Sequence, residues 1–170
     1  MNGTRRSRPA LQLALVLCLA ACLAACGTFW RPWKVEPGTS TAEDVVTYMG
    51  QPEEKLAEAS GDTVWFYPSR LIGRETWAFR IAPDGRVSSV EQRLTEANAH
   101  KVVAGKTTIA EVRALLGPPT AIHWYPLKKV HSWNYAMITG NMDNWMVLWV
   151  EHGDDGVVSS AIYTLSLIHI

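Results

Sequence analysis

Apolar and polar positions follow two different periods along the chain, and the two alternate. Stretches with apolar residues three and four positions apart predict helices, and stretches that alternate every second residue predict strands. A short helix is predicted after Thr41, with Val45, Val46 and Met49 on its apolar face. The strands predicted after it cover residues 63–67, 76–82 and 87–94.

The same order of elements then occurs a second time. A helix is predicted after Thr108, with Val112, Leu115 and Leu116 on one face and Ile109 one turn earlier. The strands that follow are predicted at residues 132–138, 145–150 and 157–164, and the last two are joined by a turn through Asp154 and Asp155.

The two halves also match residue by residue, which indicates an internal repeat. Residues 38–52 align without a gap with residues 105–119, and Trp65-Phe66-Tyr67 corresponds to Trp133-Asn134-Tyr135. The turn sequence Asp84-Gly85 has its counterpart in Asp155-Gly156. We therefore predict one repeat at residues 37–98 and a second at residues 99–164.

Each predicted helix carries its own start and stop signals. The pairs Thr41/Asp44 and Thr108/Glu111 have the spacing of capping boxes. Gly50 and Gly117 stand where helices end, and a proline follows two residues later in each half. Helices this short must pack on a sheet to be stable.

These elements predict an α+β fold of two tandem repeats. In each repeat, one or two short helices pack on a three-stranded antiparallel sheet. A unit of about 60 residues buries too little surface to be stable alone, so the halves are expected to pack together as one body.

The first 25 residues are predicted to be a signal peptide. Arg5, Arg6 and Arg8 precede an uncharged apolar stretch that ends in small residues. The segment Leu23-Ala24-Ala25-Cys26-Gly27 resembles the lipobox of bacterial lipoproteins. The resemblance implies that Cys26 is acylated and that residues 26–36 form a lipidated linker. Gly27, rather than an aspartate, implies sorting to the outer membrane, with the protein facing the periplasm.

Two alternatives to this signal remain open. A second, earlier lipobox ends at Cys22, and an ordinary secretory signal with incidental cysteines is the less specific interpretation. All three cysteines lie within the first 26 residues, so a chain processed at Cys26 has no disulfide.

The net charge of the chain and the absence of known catalytic motifs in its sequence argue against several classes of function. Without the three signal arginines the chain has 13 basic and 16 acidic residues, a net charge of −3. Because no basic block is present, nucleic-acid binding is not expected. No hydrolase, zinc-protease or phosphate-loop motif occurs, and we expect no catalytic residue, metal or cofactor. His123 and His131 could meet across a loop, but a metal site there is a weak hypothesis.

Eight tryptophans need an explanation in a chain of this length. Five lie on predicted strands and are expected mostly in the core, with Trp145 and Trp149 on one face. Trp30 and Trp33 follow the acylated cysteine, so they either touch the membrane interface or pack on the first sheet. Trp124-Tyr125 is predicted in a loop before the second W-x-Y strand, where an exposed aromatic pair would bind a partner.

The last six residues, 165–170, resemble the translated end of a sequencing-library transposon. They are predicted to be a non-native tail. The alternative is that their apolar residues finish the last strand.

The capped helix ending in Gly-x-Pro, the aromatic W-x-Y strand and the Asp-Gly hairpin together resemble the SmpA/OmlA (BamE-like) family of outer-membrane lipoproteins. The resemblance covers residues 38–90 and again 105–163. It implies a non-catalytic protein-binding module in outer-membrane protein assembly or envelope integrity, with the β-barrel assembly machine as a partner. The tandem form is also similar to β-lactamase inhibitor proteins, and the alternative function is a periplasmic inhibitor or a glycan- or ligand-binding protein.

Overall fold

The computed structural model describes residues 30–69, 74–138 and 145–166. The predicted signal peptide and Cys26 lie outside these residues. Within them, no helix has the length and apolar character needed to cross a membrane.

Two antiparallel four-stranded sheets, each with strands in sequential order, form the framework of the molecule. A short 3-10 helix at Pro32–Lys34 precedes them. The first half contains α1 (Ala42–Met49), β1 (Glu54–Ala57), β2 (Thr63–Pro68), β3 (Thr76–Ile81) and β4 (Val87–Gln92). The second half contains α2 (Glu96–Ala99), α3 (Ile109–Leu116), β5 (Ala121–Tyr125), β6 (Val130–Ile138), β7 (Trp145–His152) and β8 (Val158–Ser166).

The predicted α+β fold of two repeated units is confirmed, but the prediction of three-stranded sheets is wrong. Each sheet has an additional strand, β1 or β5, which precedes the W-x-Y strand and pairs with it. Strand β1 is four residues long and begins with Glu54 and Lys55, so no apolar alternation marks it. Strand β5 comes soon after Pro118-Pro119, a sequence that indicates a loop.

Both predicted capping boxes are confirmed. The Thr41 hydroxyl accepts a hydrogen bond from the Asp44 N–H at 3.3 Å, and the Asp44 carboxylate accepts one from the Thr41 N–H at 2.8 Å. Thr108 and Glu111 repeat this exchange at 3.3 and 2.7 Å. Each carboxylate accepts a hydrogen bond from the threonine N–H, which has the larger effect, and another from the threonine hydroxyl. Both bonds stabilise the ionised carboxylate and so lower the pKa of Asp44 and Glu111.

One tyrosine in each half ties the helix end to the sheet. The Tyr67 hydroxyl donates to the Gly50 carbonyl at 3.0 Å, and the Tyr135 hydroxyl donates to the Gly117 carbonyl at 3.2 Å. Burial raises the pKa of both tyrosines, so they remain neutral donors. The two halves are thus built to one plan, with the helix on the same face of its sheet.

The second half packs against the face of the first sheet that α1 leaves uncovered. Val64, Phe66 and Ala78 on that face are buried. Arg113 of α3 reaches Glu54 of β1 with two hydrogen bonds of 2.6 Å each. The hydrogen bonds that Arg113 donates to the Glu54 carboxylate raise the pKa of Arg113. The two predicted repeats therefore share an interface that contains both apolar contacts and a bidentate ion pair.

At Gly117 the backbone of the second half comes close to the first sheet. Its φ is +83° and its ψ is −165°, a conformation almost restricted to glycine. A Cβ placed there would stand 2.7 Å from Thr76 Cγ2 and 3.0 Å from Phe66 Cδ1. Gly50 ends α1 with nearly the same angles, φ +81° and ψ −161°, but is half-exposed.

We predict that Gly117→Ala lowers the free energy of unfolding more than Gly105→Ala does. Gly105 also has a positive φ, +75°, but a Cβ placed there would meet no atom within 4 Å. Both changes strain the backbone by about 1–3 kcal/mol. Only Gly117→Ala also forces a methyl group into the interface, at a further cost of about 1–3 kcal/mol. Urea unfolding of the two variants measures the difference, and equal losses would show that the helix end does not need this close approach.

Candidate partner-binding surface

The β5–β6 hairpin forms one edge of the second sheet and exposes a group of large apolar side chains. The exposed fractions are 53% for Ile122, 47% for Trp124, 43% for Tyr125 and 100% for Leu127. The turn is held by a hydrogen bond of 3.1 Å from the Lys128 N–H to the Tyr125 carbonyl. We call these four side chains the hairpin surface.

A stack of aromatic rings and imidazoles connects this surface to the core. The strand register places Trp124 opposite His131 and His131 opposite His152. The ring centroids are 4.5 Å apart for Trp124 and His131 and 5.2 Å apart for the two histidines. His152 meets the edge of Trp133 at 5.5 Å. These packed rings hold Trp124 in place.

His152 is the buried member of this stack. Its Nδ1 lies 2.8 Å from the Gly153 carbonyl, to which it donates, so the neutral ring carries its lone pair on Nε2. Nε2 is buried and has no hydrogen-bond partner among the described residues. The other contacts of the ring in this stack are made by packing on His131 and Trp133.

The hairpin is basic in an otherwise slightly acidic chain. Lys128 and Lys129 lie exposed in its turn, and no acidic residue occurs between Gly117 and Ile138. Asp154 and Asp155 lie at the same end of the sheet, but in the β7–β8 turn, which β6 separates from β5. A partner that approaches the outer side of β5 thus meets positive charge.

The structure places the predicted aromatic residues in different environments. Trp30 is half-buried and packs on the first core, whereas Trp33 is 71% exposed. Trp124 and Tyr125 lie in strand β5, so the prediction of a loop is wrong. Because successive strand residues point to opposite faces, these two side chains do not form one aromatic pair.

The remaining tryptophans are only partly in the core. Trp133 is buried, while Trp65 and Trp77 are half-buried against the first core. Trp145 and Trp149 lie on the same face of the second sheet, opposite to α3, as predicted from their spacing. Both are half-buried.

Sequence reasoning missed Ile122 and Leu127. The alternation of Ile122 and Trp124 two residues apart was a usable strand signal, but the neighbouring prolines obscured it. His123 and His131 do not meet, because they lie on opposite faces of the hairpin. Among the described residues no group of three or more histidines, cysteines or acids could hold a metal ion.

The shifted pKa values described above have structural causes. The two acids cap helices, Arg113 pairs with Glu54, and Tyr67 and Tyr135 bond to helix ends. The pKa of Tyr163 is raised by burial, and its hydroxyl donates to the Ala99 carbonyl at 2.7 Å. The cavity between the halves, lined by Thr76, Leu94 and Pro118 among others, measures only about 110 Å³.

Comparisons with known proteins found two similar solved structures. One is a DUF4309 family protein, YjgB, from Bacillus subtilis, with 17% identity, 78% of this chain and 82% of that chain covered, and a TM-score of 0.30. The other is a "putative beta-lactamase inhibitor protein" from Streptococcus mutans, with 10% identity, coverage of 78% and 92%, and a TM-score of 0.31. No family model and no curated protein matches the chain.

The expected membership of the SmpA/OmlA family is therefore wrong. No family model supports it, and neither of the similar structures belongs to that family. The prediction that the two repeats are BamE-like is not confirmed either. The role in β-barrel assembly came from this resemblance alone and loses its support.

We predict that Trp124→Ala leaves the fold almost intact, because the side chain is half-exposed. Its free energy of unfolding should fall by less than about 1 kcal/mol, whereas Trp133→Ala should cost about 3–5 kcal/mol. Chemical denaturation of both variants tests this. If the two losses were alike, Trp124 would be part of the core and not a side chain free to bind a partner.

Proposed function

We propose that this chain is a non-catalytic protein-binding module of the bacterial envelope that contacts its partner through the hairpin surface. The observation that supports this proposal most directly is the exposure of four large apolar side chains on one ordered hairpin: Ile122, Trp124, Tyr125 and Leu127. Large exposed apolar groups on a soluble domain mark interaction sites. Tryptophan and tyrosine are the residues most often found as anchors in such sites.

Because the hairpin is already well ordered, it would lose little conformational entropy when it binds a partner. The ring of Trp124 on β5 packs against the imidazole of His131 on β6, and a backbone hydrogen bond closes the turn. A preorganised anchor loses less conformational freedom on association than a mobile loop does. This favours a surface selected for binding over an incidental exposed patch.

Of the functions considered from the sequence, the inhibitor-type alternative fits this surface best. Leu127 is fully exposed at the end of a narrow hairpin, followed by two lysines. A projecting tip with an apolar side chain suits insertion into a cleft of another protein, as an enzyme inhibitor requires. The proposed partner is accordingly an envelope enzyme with an accessible cleft and an acidic rim.

The proposed location rests on the amino-terminal sequence. Cys26 precedes Trp30, which packs on the first core, by only four residues. A lipid at Cys26 would hold the folded part close to the outer membrane. The exposed Trp33 would then lie near the interface, where amphipathic aromatic rings are favoured.

The partner site is tested by photocrosslinking in the native envelope. A photoreactive phenylalanine analogue at Leu127 should crosslink to one discrete protein, and the same analogue at the exposed Ala110 should not. The captured enzyme should lose activity when the purified protein is added. The variant with Trp124→Ala, Tyr125→Ala and Leu127→Ser should not inhibit it.

Three results would contradict this proposal. Equal crosslinking from Leu127 and Ala110 would mean that the hairpin is not the contact surface. Full inhibition by the triple variant would mean that the partner binds elsewhere. Recovery of glycan fragments in place of a protein would replace the inhibitor with a glycan-binding protein.

The anchor is tested separately by intact-mass spectrometry of the membrane-bound chain. The mature protein should begin at Cys26 and carry the added mass of acyl chains. Cys26→Ser should abolish both the processing and the added mass, whereas Cys22→Ser should change neither. Acylation that survives Cys26→Ser and disappears with Cys22→Ser would move the anchor to the earlier lipobox.

A further inference from the structure

We infer that β5 is an open sheet edge that accepts an added strand from an acidic, extended segment of the partner. This inference rests on the proposed function and specifies how the partner is held. Among the described residues, strand β5 is the terminal strand of its sheet and pairs only with β6. Its outward backbone N–H and C=O groups are therefore available to a further strand.

The corresponding edge of the first sheet is protected, and the comparison shows what β5 lacks. On β1, Glu54 is bound by Arg113, and Lys55 Nζ lies 3.9 Å from the ring centroid of Trp65. Charges on an edge strand, lysine above all, oppose the addition of another strand. Helix α3 also contacts β1 through this ion pair, so the first edge takes part in the fold.

At the equivalent register position, β5 has an apolar residue in place of the charge. Lys55 stands opposite Trp65 in the first half, and Ile122 stands opposite Trp133 in the second. No residue from Ala121 to Tyr125 is acidic, lysine or arginine. The repeat thus retains the strand but has lost the feature that would block pairing.

The side chains of β5 define the sequence that an added strand would need. Ile122 and Trp124 lie on the helix-covered face, and Tyr125 lies on the opposite face. All three are about half-exposed. An added strand continues both faces of the sheet, so its alternate side chains would cover these groups, and apolar residues there would bury the most surface.

The charge of the turn identifies the end of the added strand. Lys128 and Lys129 lie in the turn that follows β5, and the hairpin has no acidic residue. Because neighbouring strands in both sheets are antiparallel, an added strand would begin beside this turn. Acidic residues at the start of the partner segment would therefore meet the two lysines.

A synthetic peptide serves as the probe. It carries two glutamates, then alternating valine and threonine, and a fluorophore at its carboxyl end, and its affinity for the full-length chain in detergent micelles is measured by anisotropy. A peptide with two lysines in place of the glutamates is the charge control. We expect the glutamate peptide to bind about ten-fold more tightly than the lysine peptide.

Two variants with equal exposure form the matched pair. Ile122→Lys places a lysine at the edge-strand position that Lys55 occupies on β1. Ile162→Lys changes β8, the other edge strand of the sheet, at a residue that is also 53% exposed. Ile122→Lys should weaken peptide binding at least about ten-fold, and Ile162→Lys should leave it unchanged.

Amide hydrogen exchange distinguishes strand pairing from side-chain contact. Peptide binding should slow exchange of the amides at 121–125 and leave those of β8 unaffected. Lys128→Glu with Lys129→Glu should reverse the preference between the two peptides. This second variant keeps the test valid if Ile122→Lys fails to fold.

Failure of this inference can be separated from failure of the proposed function. No binding of the glutamate peptide, insensitivity to Ile122→Lys, or protection of β8 would each overturn strand addition. If crosslinking from Leu127 persists in those cases, the hairpin still binds the partner by its side chains. Loss of that crosslinking specificity would overturn both.

Discussion

The close approach of the end of α3 to the first sheet is the contact on which the rest of the structure depends. The backbone at Gly117 lies directly against Phe66 and Thr76, where no side chain would fit. No cysteine follows Cys26, so the chain beyond it has no disulfide to hold two small units together. Apolar burial beside Gly117 and the ion pair between Arg113 and Glu54 must supply the association.

This contact also explains why two similar halves differ in their surfaces. The buried Phe66 and Ala78 of the first sheet correspond by register to Asn134 and Trp149 of the second, which are half-buried. The first sheet uses its outer face and its edge strand within the molecule. In the part of the chain that the structure describes, no third unit covers the second sheet, and the hairpin surface lies in this half.

The sequence predicted well what depends on neighbouring residues. Capping boxes and the glycines that end the helices are local, and the structure has them where the spacing indicated. Strands β1 and β5 were missed because their own sequences carry weak strand signals: β1 begins with two charged residues, and prolines flank β5. The family resemblance failed because its pattern is not specific. A capped helix, a Gly-x-Pro stop and an aromatic strand are what a small helix-on-sheet unit needs physically, so the pattern does not by itself identify a family.

In the candidate site, too, the sequence alone did not predict how single side chains are oriented. The sequence indicated Trp124-Tyr125 as an aromatic pair that would bind a partner if exposed, but only the strand assignment reveals that the two rings point to opposite faces. A ligand lying on either face of the sheet would contact one ring and leave the other in water. A partner that approaches along the edge of β5 can contact both, and it also meets Ile122 on the same strand. These apolar side chains lie on both faces of one edge strand. A partner that binds along this edge would therefore account for the exposure of all of them.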